Sequence, residues 1–278
     1  MKRKSILSIL LTGALAISLV GCGTAKSDDS TGAAKEDKTI TIGVSPVPHK
    51  EIVEQIVPDL EAKGYTVEIV EFTDYVTPNT ALEEGELDAN YFQTIAYLDE
   101  TNEGKGLHLT YTKGVHLEPL AVYSSKIKDI KDLADGATIA VSNDPSNEAR
   151  ALRVLESAGI ITLKDGELVT PKDITENPKN LKFEELEAAQ IPRVLEEVDL
   201  AVIPGNYALE AGLSPAKDAV FVEDSTSEAS KKYYNVIAVK EGTEDSQKIK
   251  DLTEALTSET VKKYIQEKYS DGSVVPVF

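Results

Sequence analysis

Twice along the chain an alternating apolar pattern gives way to a helical one and then returns, and that rhythm restricts the fold more than any other feature. Thr39 to Ser45 reads Thr-Ile-Thr-Ile-Gly-Val-Ser and alternates as a strand. His49 to Lys63 sets Ile52, Ile56 and Leu60 on one helical face and stops at Gly64, and Thr66 to Phe72 alternates again. Strand, amphipathic helix and strand make a βαβ unit, which implies a parallel sheet with its ligand edge at the strand C-termini. The rhythm recurs mid-chain: strand from Ala137 to Ser142, helix from Pro145 to Ala158 closed by Gly159, strand from Leu181 to Leu186, helix from Ala189 to Glu197, strand from Leu200 to Ile203.

Between the two units lies the strand-like run Glu118 to Ser124, followed by the charged helix-forming segment Lys126 to Ala134. A second extended run, Tyr233 to Val239, precedes two helical patterns, Asp245 to Leu256 and Ser258 to Tyr269, with no third complete βαβ unit. The simplest arrangement returns the chain to the first unit. The expected fold is therefore α/β and bilobal, similar to periplasmic binding proteins, with two α/β lobes joined by a two-strand hinge. Residues 39–122 plus 233–278 would form lobe 1 and residues 123–232 lobe 2.

The first residues have another purpose. Lys2, Arg3 and Lys4 precede a mostly apolar stretch from Ser5 to Val20, of export-signal length and too short to span a membrane comfortably. It ends Leu19-Val20-Gly21-Cys22, which resembles the lipobox of bacterial lipoproteins, where the cysteine is acylated and becomes the first residue after cleavage. Residues 1–21 then form a lipoprotein signal peptide, and the polar, non-periodic residues 22–38 a flexible tether. No later stretch reads as transmembrane. Cys22 is the only cysteine, which excludes an intramolecular disulfide and a cysteine-built zinc site. Losing three basic and no acidic residues takes the charge from 29 minus 48 to 26 minus 48, or −22. Such an acidic surface excludes nucleic acid as a natural partner, since phosphate binding needs clustered Lys and Arg.

Several motifs then occur in order: Phe72-Thr-Asp-Tyr-Val-Thr-Pro-Asn-Thr-Ala-Leu82, Asp88-Ala-Asn-Tyr-Phe-Gln93, Ser142-Asn-Asp-Pro-Ser-Asn-Glu-Ala-Arg150, Glu176-Asn-Pro-Lys-Asn-Leu181, Glu187-Ala-Ala-Gln-Ile-Pro-Arg193 and Ser214-Pro-Ala-Lys-Asp218. Together, across residues 39–278, they resemble the NlpA family of methionine-binding lipoproteins. The resemblance implies a lipid-anchored monomer on the extracytoplasmic face of the cell membrane. It would bind L-methionine without catalysis, need no cofactor or metal, and deliver its cargo to an ABC permease with ATPase subunits. The chain has no P-loop, no Gly-x-Ser-x-Gly elbow and no His-Glu-x-x-His helix.

A buried amino-acid zwitterion needs partners for both charges. Asp144 and Pro145 suit the cap and first position of a helix whose N-terminal amides would lie near Arg150. The resemblance implies Arg150 as a bidentate partner of the ligand carboxylate, with Asn147 or Asn143 adding a side-chain amide. It also implies Asn206 and Asn235 at the polar end. From the residues alone, Arg150 is as readily a surface ion-pair former, Asn143 and Asn206 turn residues and Asn235 a strand-end cap. Glu118 is a candidate for the ammonium, or an ordinary surface charge. Tyr75, Phe92 and Tyr97 would receive the thioether tail, or serve only as core. His116 would hydrogen-bond the ligand or the hinge, or be structural; with His49 and Glu118 it could be imagined as a zinc site, but three histidines are few for a metal binder. Competing readings keep the scaffold and change the cargo to D-methionine, a methionine dipeptide or another apolar amino acid. Others make the chain a surface enzyme using His116 and Glu118, or a surface interaction lipoprotein.

Overall fold

The computed structural model describes residues 38–278. The signal peptide, Cys22 and the tether up to residue 37 lie outside them. Among the described residues no helix is long and apolar enough to cross a membrane.

Two sheets organise the body. The first contains β1 (Thr39–Val44), β2 (Thr66–Glu71), β3 (Ala89–Thr94), β4 (Leu109–Leu117), β12 (Tyr234–Lys240) and β13 (Val275–Pro276), in the order β13-β4-β12-β3-β1-β2. The second contains β5 (Ala121–Tyr123), β6 (Thr138–Ser142), β9 (Lys182–Leu186), β10 (Leu200–Ile203) and β11 (Ala219–Val222), in the order β11-β5-β10-β6-β9. A short ribbon pairs β7 (Thr162–Leu163) with β8 (Ile174–Glu176). The βαβ parts are parallel as expected, β1 with β2 and β3, and β6 with β9 and β10. The strands at the crossings, β4, β5 and β12, pair antiparallel with their neighbours, so both sheets are mixed. Each lobe has its own apolar core: Ile40, Ile42, Ile52 and Ile237 in the first, Ile139, Leu152, Leu155 and Val202 in the second.

Three expected helices are altered, each for a local reason. The segment from His49 to Lys63 is broken into Glu51–Glu54 and Val57–Ala62 because Pro58 lacks the N–H that would continue the first piece. Ala189 to Glu197 is instead a 3-10 stretch, Ala188–Val194, containing Pro192. Lys126 to Ala134 shrinks to one turn, Ile130–Asp132. There the Ser124 hydroxyl accepts from the Lys126 and Ile127 amides and bends the chain, and Asp129 caps the turn through the Lys131 N–H.

The stretch between Phe72 and Leu117, without a periodic pattern of its own, folds as helix Thr77–Glu84, β3, helix Ile95–Lys105 and β4. β3 is central and buried on both faces, yet it carries Asn90 and Gln93. Asn79 satisfies both: its Nδ2 donates to Gln93 Oε1 at 2.8 Å, and its Oδ1 accepts from Asn90 at 2.9 Å and Gln93 at 2.6 Å. A closed amide network of this kind lets polar residues occupy a core strand.

Candidate functional site

The chain leaves the first sheet after Leu117 and enters the second at Ala121, then returns between Val222 and Tyr234. A cavity lies beside these two passages. Its first-sheet side is formed by Tyr75, Phe92, Gln93, Thr94, Tyr97 and Asn235, its opposite side by Asn147, Arg150 and the Pro204-Gly205-Asn206 turn, and Glu118 closes it at the crossing. About 370 Å³ there, the open mouth included, is unfilled by protein atoms.

Helix Pro145–Ser157 positions two of these groups. Asp144 caps it by accepting from the Asn147 amide at 2.9 Å, and also takes Asn147 Nδ2 at 3.0 Å. That second bond leaves the Asn147 side-chain oxygen, not its nitrogen, available as the free end. In the helix's second turn, Arg150 is 5 % exposed but carries bonds on one edge: Nε and Nη2 donate to the Glu223 carboxylate at 3.1 and 2.6 Å, and Nη2 also to the Glu118 carbonyl at 2.9 Å. Its guanidinium lies 4.2 Å from the Tyr233 ring centre. Burial alone would weaken the cation, but Glu223 outweighs it and the pKa is raised, so Arg150 is charged at every accessible pH. The bidentate edge expected for a ligand is thus engaged by Glu223, while Nη1 takes part in none of these bonds.

Behind Glu118 is a buried relay. Its Oε1 accepts from His116 Nε2 at 2.8 Å, and His116 Nδ1 meets the Tyr91 hydroxyl in a short hydrogen bond. His49 Nε2 lies 3.7 Å from the same carboxylate oxygen and 3.0 Å from Asn235 Oδ1. Burial brings His49 down to about 4 and His116 to about 3, so both rings are neutral above those values. Glu118 is pushed up by burial, against the pull of His49, Arg150 and the Asn206 N–H. Among the described residues, His49, His116 and Glu118 are the one group offering three metal-ligand atoms within 4.8 Å. His49 Nε2, His116 Nε2 and Glu118 Oε1 each already hold a hydrogen bond to protein, which leaves His49 Nδ1 as the one imidazole nitrogen of the trio without a partner.

Asn206 sits where the chain turns out of β10. The Tyr75 hydroxyl donates to its Oδ1, and its Nδ2 is buried without a hydrogen-bond partner. Glu210, one turn on, is raised by burial and lies near enough for this amide to oppose that rise, though outside full hydrogen-bond geometry. Gly205 is required by close approach: a Cβ there would stand 2.4 Å from Glu118 Oε2 and 2.6 Å from Glu118 Cβ. The aromatic side is a cluster, with ring centres of Tyr75 5.9 Å from Phe92, 5.6 Å from Tyr97 and 5.0 Å from Tyr207. Tyr97 donates to the Tyr75 carbonyl at 2.9 Å, and Tyr207 reaches across to the Thr73 carbonyl at 3.1 Å.

Of the candidates drawn from the sequence, Arg150, Asn147, Asn206, Asn235, Tyr75, Phe92, Tyr97 and Glu118 meet around one cavity. Two do not. Asn143 is exposed on an outer hollow with Asp144, Tyr75 and Tyr207, because the cap sets the helix start just beyond it. His116 is wholly buried behind Glu118. Gln93, Thr94 and Gly205 were missed as cavity residues, and His49 was considered only for zinc. Its place directly after β1, at the C-terminal end of a parallel strand, was the available signal.

The sequence model described as NlpA lipoprotein matches residues 40–278. The methionine-binding lipoprotein MetQ of Bacillus subtilis is 42% identical over 96% of this chain and 98% of its own length. The D-methionine-binding lipoprotein MetQ of Escherichia coli K12 is 40% identical over 95% of this chain and 94% of its own. The structure of a Burkholderia cenocepacia nutrient-binding protein bound to methionine superposes with a TM-score of 0.81 at 45% identity, covering 86% of this chain and all of that one. From residue 40 to its last residue, this chain belongs to the NlpA lipoprotein family.

Proposed function

We propose that the chain is the extracytoplasmic solute-binding lipoprotein of an ABC importer, anchored through Cys22, which closes its lobes on L-methionine and hands it to a membrane permease. Residues 39–117 with 234–278 form one closing body and residues 121–222 the other, since the boundary expected at residue 122 falls inside β5 of the second sheet. The observation that carries this reading is the sorted polarity of a single cavity. Donors are available from Arg150 Nη1, Asn206 Nδ2 and the Asn235 amide, and suit a carboxylate. Acceptors are available from Glu118 and the Asn147 side-chain oxygen, and suit an ammonium. The rings of Tyr75, Phe92 and Tyr97 offer edges to a thioether.

The role is binding without turnover: ligand contacts to both lobes favour the closed state, and the permease reads that shape. The B. cenocepacia relative bound to methionine supports the cargo, and the relatives named for D-methionine keep the enantiomer as the alternative. Calorimetric titration of the refolded, ligand-stripped mature domain with L-methionine, D-methionine and glycyl-methionine tests the proposal. One-to-one binding tightest for L-methionine is expected. Heat from only one of the others reassigns the cargo, and silence from all three removes the transport reading.

A further inference from the structure

An asparagine that recognises a ligand has an ambiguity built into it, because one end of its amide donates and the other accepts. Asn235 lines the cavity from β12, and nothing in its own sequence neighbourhood decides which end it shows. We propose that His49, which does not touch the cavity, makes that decision: by donating from Nε2 to the Asn235 oxygen it turns the amide nitrogen toward the ligand, making the first-lobe side of the polar end selective for a carboxylate. The inference deepens the amino-acid-binding reading above and rests on it.

The proton's position follows from what surrounds the ring. His49 is 1 % exposed and neutral, so it has a single N–H to place. Its Nε2 faces two oxygens, Asn235 Oδ1 at 3.0 Å and Glu118 Oε1 at 3.7 Å. Its Nδ1 is buried with no partner. A proton on Nδ1 would leave an unsatisfied buried donor and aim the Nε2 lone pair at the Glu118 oxygen, two unfavourable arrangements at once. A proton on Nε2 removes both. The Glu118 oxygen in turn accepts from His116, whose other nitrogen meets the Tyr91 hydroxyl, so the relay is consistent in one direction throughout.

The ring is also held against rotation. Tyr91 packs edge-on with ring centres 4.7 Å apart, and His116 lies 5.0 Å away. Asn235 is fixed from the backbone side, paired with Thr94 on one neighbour and His116 on the other. With the acceptor end of its amide occupied by His49, the Asn235 nitrogen is the end left for the ligand. On the other wall the Tyr75 hydroxyl occupies the Asn206 oxygen in the same way. His49 is thus a positioning residue, acting through Asn235.

Two measurements on the mature protein test this. The first is the His49 tautomer, read from its ¹⁵N shifts in the wild-type protein, which needs no variant to fold: a proton on Nε2 is expected, and one on Nδ1 overturns the inference. The second compares dissociation constants for L-methionine and L-methioninamide, whose neutral amide can donate as well as accept. His49→Leu should weaken L-methionine by about tenfold, the worth of one hydrogen bond to a charged group, and leave methioninamide within about twofold. His49→Gln, which can still donate to Asn235, should recover most of the loss. Equal weakening of both ligands, or no weakening of either, overturns the inference while leaving the amino-acid reading intact. A wild-type protein that binds neither ligand overturns both.

Discussion

The two sides of the cavity are unlike each other. The side built on the first sheet presents aromatic rings, Tyr75, Phe92 and Tyr97, drawn from a stretch of about twenty residues around β3. The facing side presents one guanidinium and two amides, Arg150, Asn147 and Asn206, from a helix start and a strand exit. An apolar tail finds rings only on the first side, whereas a charged end meets polar groups on both, Asn235 on the first and Arg150, Asn147 and Asn206 on the second. On the proposed reading, closure is rewarded when a single ligand has both, so this division between the sides would itself filter the cargo.

Acid should disturb the first side most. Behind it lie His49 and His116, whose folded pKa values are depressed, so between those values and the ordinary imidazole range the unfolded chain binds more protons than the folded one. Stability is then complete above about pH 6.5 and is lost as pH falls toward about 4 and about 3. By the end of that descent His49 withdraws on the order of 3 kcal/mol and His116 on the order of 5 kcal/mol. Glu118, raised by burial, works in the opposite sense and offsets part of it. Urea midpoints measured from pH 7 to pH 4 should fall steeply, and a flat profile would mean that the relay is not buried as described.

The facing side is broken most directly at Arg150. Arg150→Ala should weaken L-methionine by at least about a hundredfold, because truncating one partner in a buried charge pair typically costs 2 to 5 kcal/mol. Glu223 and the Glu118 carbonyl would lose their donor as well, so a thermal melt must accompany the titration. Unchanged affinity in a folded variant would remove Arg150 from recognition and leave it as the tie between the two crossings.

The smallest effect separates the two sides by sign. Glu148, on the same helix as Arg150, is raised to about 8 by burial and by its neighbour Glu185, and its Oε1 has no hydrogen-bond partner. A raised carboxyl favours the folded state below the ordinary carboxyl range, and that contribution is lost as pH climbs through about 8. Glu148→Gln should therefore raise the melting temperature most at pH 9, by less at pH 6, and change it little near pH 4.5. The opposite order would place the strain elsewhere.

How much of this was legible varied by element. β1, β6 and β10 announced themselves because each is apolar and buried, and β2 and β9 because their apolar residues alternate on a half-buried inward face. β3 did not, because its polar side chains close an amide network with Asn79, and only the tertiary fold brings Asn79 there. Pro58 and Pro192 were visible in the sequence, but the apolar spacing around them was strong enough to suggest unbroken helices. At the site, residue types and family motifs pointed to eight side chains that the fold gathers around one cavity. They could not indicate that Glu223 would occupy one edge of Arg150, since that contact spans 73 positions. Nor could they reveal that Asn147 keeps its oxygen free, because both depend on which atom another residue takes first.

Asn235 occupies a strand flanked by neighbours on both sides, and the ladder shifts register within a residue or two of it on each. Side chains on a strand alternate, so a slip of one position would show the cavity Tyr234 or Val236 instead. The backbone bonds of β12 thus act as a gauge with a tolerance of less than one residue, and recognition inherits that tolerance. On the proposed reading, a one-residue slip of β12 would change what the cavity shows while leaving both lobes' cores in place.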